Sequence, residues 1–334
     1  MTDATMPVAV IGAGTMGHAL ALVHALGGHP VRLHDVSAEA LRRAPLLMAD
    51  ALATMQEAGE APAGWTAGRL AAAVTTTHDL AAAAAGAGLV VAAVAEDPEV
   101  KRQVFAALDR VAPDDAILAS NTSMLDVFPL VPERRLPRAL IAHWYTPPYL
   151  VDLVDVVPGP ATDPAVTERV RALYAGFGKR PIVLRRFVPG FIANRIQAAI
   201  SLEVNALLDA GVASAADIDE SIRHGLALRM ALMGHLMKAD FTGLALSRKI
   251  LANRSYTPPV ATGRCATLER LVDAGRTGVD AGAGYYDYGG RGAAELFRER
   301  DRKLFALKRA WRGVADIAAT PLDDPPPGPP LPRG

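Results

Sequence analysis

The sequence predicts a doubly wound, mainly parallel α/β sheet followed by a mostly α-helical second domain. Three observations carry this. Short β-branched runs alternate with segments of helical period from Val8 to about Leu184. The first run leads directly into Gly12-Ala13-Gly14-Thr15-Met16-Gly17. Beyond Arg185 to Gly190 the alternation stops and only helical periodicity remains.

The elements follow in order. Val8 to Ile11 is four apolar residues, as suits a strand buried on both faces of a parallel sheet. Met16, Leu20, Val23 and Leu26 stand at helical spacing, and Gly27-Gly28 ends that helix. Val31 to Asp35 is the second strand, and Ser37 can cap a helix through Leu41, Leu46 and Leu47. Leu89 to Val94 reads as a strand and Pro98 to Val111 as a helix. Ala116–Ser120, Ala139–Trp144, Leu153–Val157 and Pro181–Leu184 read as further strands, with a helix from Pro164 to Phe177. Ile192, Ile196, Ala199, Ile200, Val204 and Leu207 then form one helical stripe ending at Gly211. Ser214 with Asp217 predicts a capping box, and the only later strand signal is Tyr285 to Tyr288. Pro321 to Gly334 is dense in proline and is expected to be a disordered tail. The expected domains are 1–187, 188–315 and a tail over 316–334.

A length of 334 residues suits about two domains. Lys plus Arg (35) equals Asp plus Glu (35), so no basic excess points to nucleic acid or an anionic membrane. The single cysteine, Cys265, excludes an intrachain disulfide and fits a reducing compartment. Met1 to Pro7 carry no Lys or Arg and glycines soon interrupt the apolar run, unlike a signal peptide. Ala81 to Ala95 is too short for a membrane helix. A cytoplasmic globular protein without a metal is the expectation.

The glycine motif lies between a predicted strand and a predicted helix, and Asp35 ends the next strand at the spacing of a dinucleotide fingerprint. Gly12 permits the tight turn, Gly14 lets the backbone approach a pyrophosphate, and Gly17 lets helix and strand pack closely. The free amides of the helix start would face the phosphates. Asp35 would accept from the adenosine ribose hydroxyls and repel a 2′-phosphate, and no arginine follows it directly. NAD is therefore expected rather than NADP.

Polar residues cluster at later strand ends: Ser120-Asn121-Thr122-Ser123, His143, Asp152, Asp155 and Asn194. Ligands of this fold sit beyond the carboxyl ends of the strands. Oxidising an alcohol needs a base for the hydroxyl proton while hydride leaves carbon. A neutral histidine with an orienting carboxylate supplies the base, and hydroxyl or amide groups hold the oxygen.

With these stretches the chain resembles the 3-hydroxyacyl-CoA dehydrogenase family, up to about Asp287. The resemblance rests on Val10 to Gly17, Leu118 to Ser123, the His143 strand, Pro189 to Arg195 and Ser214 to Asp219. It also rests on Arg276-Thr277-Gly278 and Gly284 to Tyr288. It implies an NAD-binding Rossmann domain with a helical domain that dimerises, and a part in fatty acid metabolism. It implies His143 as catalytic histidine, Ser123 on the substrate oxygen and Asn194 positioning both. Glu96 and Lys101 would lie near the nicotinamide ribose and Asn121 near the nicotinamide; Thr15 and Met16 belong to the cofactor loop. The family's glutamate partner for the histidine falls at Asp155.

Departures from the family pattern bear on the substrate. Asp155 is one methylene shorter than the glutamate, about 1.3 Å of reach, which leaves Asp152 as a rival. Strand alternation puts the two on opposite faces and favours Asp155. Thr146 stands where asparagine is usual, and Ala92 where an acidic residue is frequent. Ala44 to Val74 contains Arg69 and no lysine, with Arg42 and Arg43 just before it, although CoA phosphates call for such cations. The first reading is a 3-hydroxyacyl thioester interconverted with its 3-oxo form. The alternatives are the same chemistry on a CoA-free 3-hydroxy acid or small alcohol, as in gulonate- or carnitine-acting relatives, and a non-catalytic, crystallin-like NAD binder. A 3-hydroxyisobutyrate dehydrogenase type, with its lysine base, fits the asparagine and histidine motifs less well.

Overall fold

The computed structural model describes residues 5–314 and 317–320. Its sheet has eight strands in the order β3-β2-β1-β4-β5-β6-β7-β8. In chain order the first half is β1 (Val8–Ile11), α1 (Gly17–Leu26), β2 (Val31–His34), α2 (Ala38–Glu57), α3 (Ala67–Ala73), β3 (Val74–Thr77) and α4 (Leu80–Ala84). There follow β4 (Leu89–Ala92), α5 (Pro98–Val111), β5 (Ile117–Ser120), β6 (Ala139–Trp144), β7 (Leu153–Pro158), α6 (Pro164–Gly176), β8 (Arg180–Val183) and α7 (Ala193–Asp209). The expected doubly wound sheet is therefore present, with all neighbours parallel except the antiparallel β6–β7 pair. Three short elements, α3, β3 and α4, give no clear sequence signal. They are rich in alanine and threonine, and β3 buries only Val74 fully.

The strands divide their side chains between two cores, as a period of two requires. Val8, Val10, Leu89, Val91, Leu140, Ala142 and Trp144 join α1, α2 and α6 in one cluster. Ala9, Ile11, Val90, Ala92, Leu118, Ile141 and Val157 join Phe105, Phe128 and Phe191 in the other. His143 and Asp155 alternate with these residues and so lie on the second face, directly opposite each other in the β6–β7 register.

On the first face Trp144 anchors the histidine strand. It packs edge-on against Tyr174 at 4.7 Å, and His24 lies 5.9 Å from Trp144 and 5.7 Å from Tyr174. His24 has its Nδ1 2.8 Å from the Leu20 carbonyl and a buried Nε2 without a hydrogen-bond partner in the structure. Burial holds its pKa down at about 4, the Leu20 carbonyl opposing only in part. Because the folded value lies below the unfolded one, the unfolded chain takes up the extra proton first. The contribution is complete above pH 6.5 and is lost as pH falls toward 4, at about 1.4 kcal/mol per pH unit. Melting curves between pH 6.5 and 4 should fall less steeply for His24→Gln than for the unmodified chain; equal slopes would contradict this.

By their contacts the described residues up to Ser201 group with Tyr288–Ala306 as one unit, and Leu202–Asp287 begins the other. The expected boundaries put the last helix, α13 (Ala293–Arg312), wholly in the second domain. Its middle instead packs on the first unit: Phe305 is buried in the first core cluster and Asp301 accepts from the Tyr149 hydroxyl at 2.7 Å. The second unit contains α8 (Ala215–Glu220), a π-helical turn (Ser221–Ala227), α9 (Leu228–Met233), α10 (Leu236–Thr242), α11 (Leu244–Asn253) and α12 (Ala266–Asp273). Ser214 caps α8 by accepting from the Asp217 amide at 3.2 Å, while the Asp217 carboxylate takes the serine hydroxyl rather than completing the reciprocal bond to the backbone. The expected Tyr285–Tyr288 strand is reduced to isolated bridges, Gly278 to Ala283 and Ala283 to Asp287. Pro321–Gly334, expected to be disordered, lies outside the described residues. No helix among the described residues is long and apolar enough to cross a membrane.

Candidate active site

The strand order reverses between β1 and β4, which opens a crevice at their carboxyl ends. Gly12 follows β1 with φ +100°, and a Cβ there would stand 2.5 Å from the Ala93 carbonyl oxygen. A Cβ on Gly17 would lie 1.6 Å from the Gly12 oxygen. By contrast, a Cβ on Gly14 would meet no protein atom within 4 Å. The loop is thus closed against the protein at Gly12 and Gly17 and open at Gly14, where a pyrophosphate needs backbone without a side chain. Thr15 is exposed beside it. Met16 begins α1 without any side-chain cap, so no side chain of its own caps the first amides of α1.

Asp35 follows β2 and ties this loop together. One oxygen accepts from the Ala13 amide at 2.6 Å and the other from the Ser37 amide at 2.7 Å. Each carboxylate oxygen retains a second lone pair for a ribose hydroxyl. These features fit a dinucleotide.

Glu96 sits at a second hub. Its Oε1 accepts from the Thr122 hydroxyl (2.7 Å) and from the Ser123 and Met124 amides (both 2.8 Å), and its Oε2 pairs with buried Lys101 at 3.0 Å. Burial pushes the Glu96 carboxyl up, but the Thr122 hydroxyl, the Met124 amide and Lys101 together hold it down at about 2. The pair that the resemblance puts near a ribose therefore also fixes the loop bearing Ser123. Asn121 is fixed likewise, its Oδ1 accepting from the Trp144 amide at 2.9 Å.

His143 lies between Ser123 and Asp155. Its Nε2 is 3.2 Å from the Ser123 hydroxyl and its Nδ1 is 3.2 Å from Asp155 Oδ2. Both His143 and Asp155 are buried. A carboxylate only accepts, so Asp155 selects the tautomer with hydrogen on Nδ1 and leaves the Nε2 lone pair toward Ser123. Such an imidazole can take a proton from an alcohol and be stabilised as it charges. Phe191, buried at a φ of 51°, packs 4.9 Å from the imidazole. The Gly190 amide donates to the Ser123 carbonyl at 3.1 Å, tying the entry of α7 to the serine loop. Asn194 lies in the first turn of α7, half-buried.

Asp152 faces elsewhere. It lies before β7 and pairs with Lys179 at 3.5 Å. The Lys179 ammonium also donates to the Pro148 and Val151 carbonyls at 2.6 and 3.0 Å, clamping the loop between β6 and β7. The sequence reading did not find Tyr145, whose hydroxyl donates to Asp155 Oδ2 at 2.7 Å. The available signal was its position two residues after His143, on the same face of an extended segment.

The NAD-binding domain model of 3-hydroxyacyl-CoA dehydrogenase matches residues 7–187, and the C-terminal domain model of the same enzyme matches 190–288. The chain is 30% identical over 314 residues to a 5-formyl-3-hydroxy-2-methylpyridine 4-carboxylate 5-dehydrogenase of Mesorhizobium japonicum, covering 92% of this chain and 98% of the relative. It is 34% identical over 308 residues to the L-carnitine dehydrogenase of Streptomyces griseus subsp. griseus, covering 91% and 89%. Among solved structures, an NAD+-dependent 5-formyl-3-hydroxy-2-methylpyridine 4-carboxylic acid 5-dehydrogenase described as a dismutase superposes with a TM-score of 0.80 at 29% identity. That match covers 92% of this chain and 99% of the other.

Proposed function

The chain belongs to the 3-hydroxyacyl-CoA dehydrogenase family, and on that footing we propose that it oxidises a small hydroxy acid carrying no CoA, with His143 as base. It is an NAD-dependent oxidoreductase acting on a CH–OH group. NAD, when bound, supplies the hydride acceptor. The observation that carries the proposal is His143 held between Ser123 and Asp155.

Ser123 hydrogen-bonds the reacting oxygen, His143 Nε2 takes its proton, and Asp155 steadies the resulting imidazolium. Asn194 helps to position substrate and imidazole. Gly12, Gly14, Thr15, Met16 and Gly17 cradle the pyrophosphate, Asp35 binds the adenosine ribose, and Glu96, Lys101 and Asn121 border the nicotinamide end. On this division of labour Asp155→Asn slows turnover, while Asp152→Asn, which weakens the pair with Lys179 away from His143, leaves it near normal. The reverse result in steady-state assays would move the role to Asp152.

The substrate class follows from what the molecule offers a CoA phosphate. Arg69 is the only cation between Ala44 and Val74. Its guanidinium lies 4.4 Å over the Trp65 ring and donates to the Gly64 carbonyl. Two relatives that resemble the chain over most of its length are named for carnitine and a pyridine carboxylate. The family's own name favours the thioester as second reading. NADH oxidation with a panel of free oxo acids, run beside acetoacetyl-CoA, decides between them: activity on the free acids is expected, and activity on the thioester alone would overturn the CoA-free reading.

The two family matches, over 7–187 and 190–288, support an NAD-binding domain followed by a helical domain, and we infer that the helical domain helps to bind substrate and forms a homodimer. The exposed Ile196 and Ile200 of α7, and Leu246 and Ile250 of α11, support the homodimer, because apolar side chains at helical spacing favour a covering surface. The lone cysteine supports a cytoplasmic setting.

A further inference from the structure

Asp155 is held less by the histidine it faces than by Tyr145. Its Oδ2 lies 3.2 Å from His143 Nδ1 but only 2.7 Å from the Tyr145 hydroxyl. A charge-assisted N–H···O bond normally closes to about 2.7–2.9 Å, so the short carboxylate does not reach its histidine fully. Asp155 Oδ1 is buried and has no hydrogen-bond partner in the structure, so Oδ2 carries all of the visible anchoring.

Tyr145 reaches this oxygen because of the strand geometry. His143 and Asp155 are directly opposite in an antiparallel pair, and Tyr145, two residues on, takes the diagonal position. Its ring stands 4.6 Å from the imidazole at 72°, edge to face, and so limits how the imidazole can tilt. The backbone N–H groups of Ala193 and Asn194, at the start of α7, act on the phenol only weakly and in the opposite sense, favouring its ionised form. Burial, and then the Asp155 carboxylate, push the phenol well above its ordinary range, so it remains a donor wherever the enzyme works. One side chain thus holds the β7 carboxylate through its hydroxyl and the β6 imidazole through its ring.

We propose that Tyr145 is a positioning residue: its hydroxyl pins the short Asp155 carboxylate against His143. This rests on His143 being the base. Tyr145 touches neither the reacting carbon nor the cofactor in this scheme, and acts through Asp155.

The length of the carboxylate supplies the test. Tyr145→Phe keeps the ring and removes the pin, so kcat should fall about tenfold or more, the size of one hydrogen bond to a charged group. KM and NADH affinity should change little. Asp155→Glu in the Tyr145→Phe background gives the carboxylate the reach it lacks, and should return most of the lost kcat. Asp155→Glu with Tyr145 retained crowds the phenol and should lower kcat. A general structural role for Tyr145 would instead give the same loss whichever acid stands at 155. Unchanged kcat in Tyr145→Phe, or a double variant no faster than the single one, would overturn the proposal. His143→Ala assayed in parallel separates the two questions. Full activity there defeats the base assignment, whereas an inactive His143→Ala beside a silent Tyr145→Phe defeats only the pin.

Discussion

Gly17→Ala should abolish NADH binding and destabilise the chain, whereas Gly14→Ala should weaken binding and leave stability intact. The added methyl at Gly17 would stand 1.6 Å from the Gly12 oxygen and 2.6 Å from its carbon. Both atoms are backbone, in a loop that hydrogen-bonds β2 through the Gly12 amide at 2.8 Å. Relief requires α1 to move off the sheet, and α1 buries eight residues there. Overpacking of a well-filled site costs about 1–3 kcal/mol, and here no flexible side chain can yield. At Gly14 the same methyl meets no protein atom within 4 Å. It would occupy the space left for the pyrophosphate, so the expected loss is about tenfold or more in affinity, one charged hydrogen bond. Fluorescence titration with NADH and thermal melting measure both effects. Affinity of Gly14→Ala equal to that of the unmodified chain would show that the opening at Gly14 does not serve the phosphates.

His143→Ala should lower turnover by about 10²-fold or more, the usual contribution of a general base, and should leave NADH affinity unchanged. The imidazole has no other evident duty. Its Nδ1 faces Asp155 and its Nε2 faces Ser123, while the strand itself is held by Trp144 on the opposite face. The variant therefore loses a base without losing an anchor, although it leaves the buried Asp155 bonded only by Tyr145. The pattern expected in kinetics is a lower kcat with the KM for NADH retained. Turnover close to that of the unmodified chain would remove His143 from the chemistry.

The sequence exposed the parts of this molecule whose signals are local. Val8 to Ile11 followed by the glycine motif could be read directly, because a buried parallel strand is uniformly apolar and a turn against backbone admits only glycine. Pro98–Val111 was legible to the residue, since Asp97 caps it and proline occupies its first turn. The edge strand Val74–Thr77 was not legible, because an edge needs no apolar alternation, and three of its four residues are threonines. Nor does any local pattern announce that Phe305 and Asp301 of α13 pack on the first unit, a contact spanning about half the chain. At the site, His143 and Asp155 were read from spacing and resemblance. The bond from Tyr145 and the role of Glu96 as clamp of residues 122–125 depend on cross-strand and loop geometry that the sequence does not print.

The central claim is hydride transfer between NAD and a carbinol carbon, assisted by His143. It is tested most directly by reducing a panel of free oxo acids and acetoacetyl-CoA with NADH dideuterated at C4 of the nicotinamide. The product should carry one deuterium on the former carbonyl carbon for each NADH consumed, and His143→Ala should transfer it about 10²-fold more slowly. NADH that binds tightly but is consumed with none of these compounds would contradict the claim and leave a dinucleotide-binding protein without this catalysis.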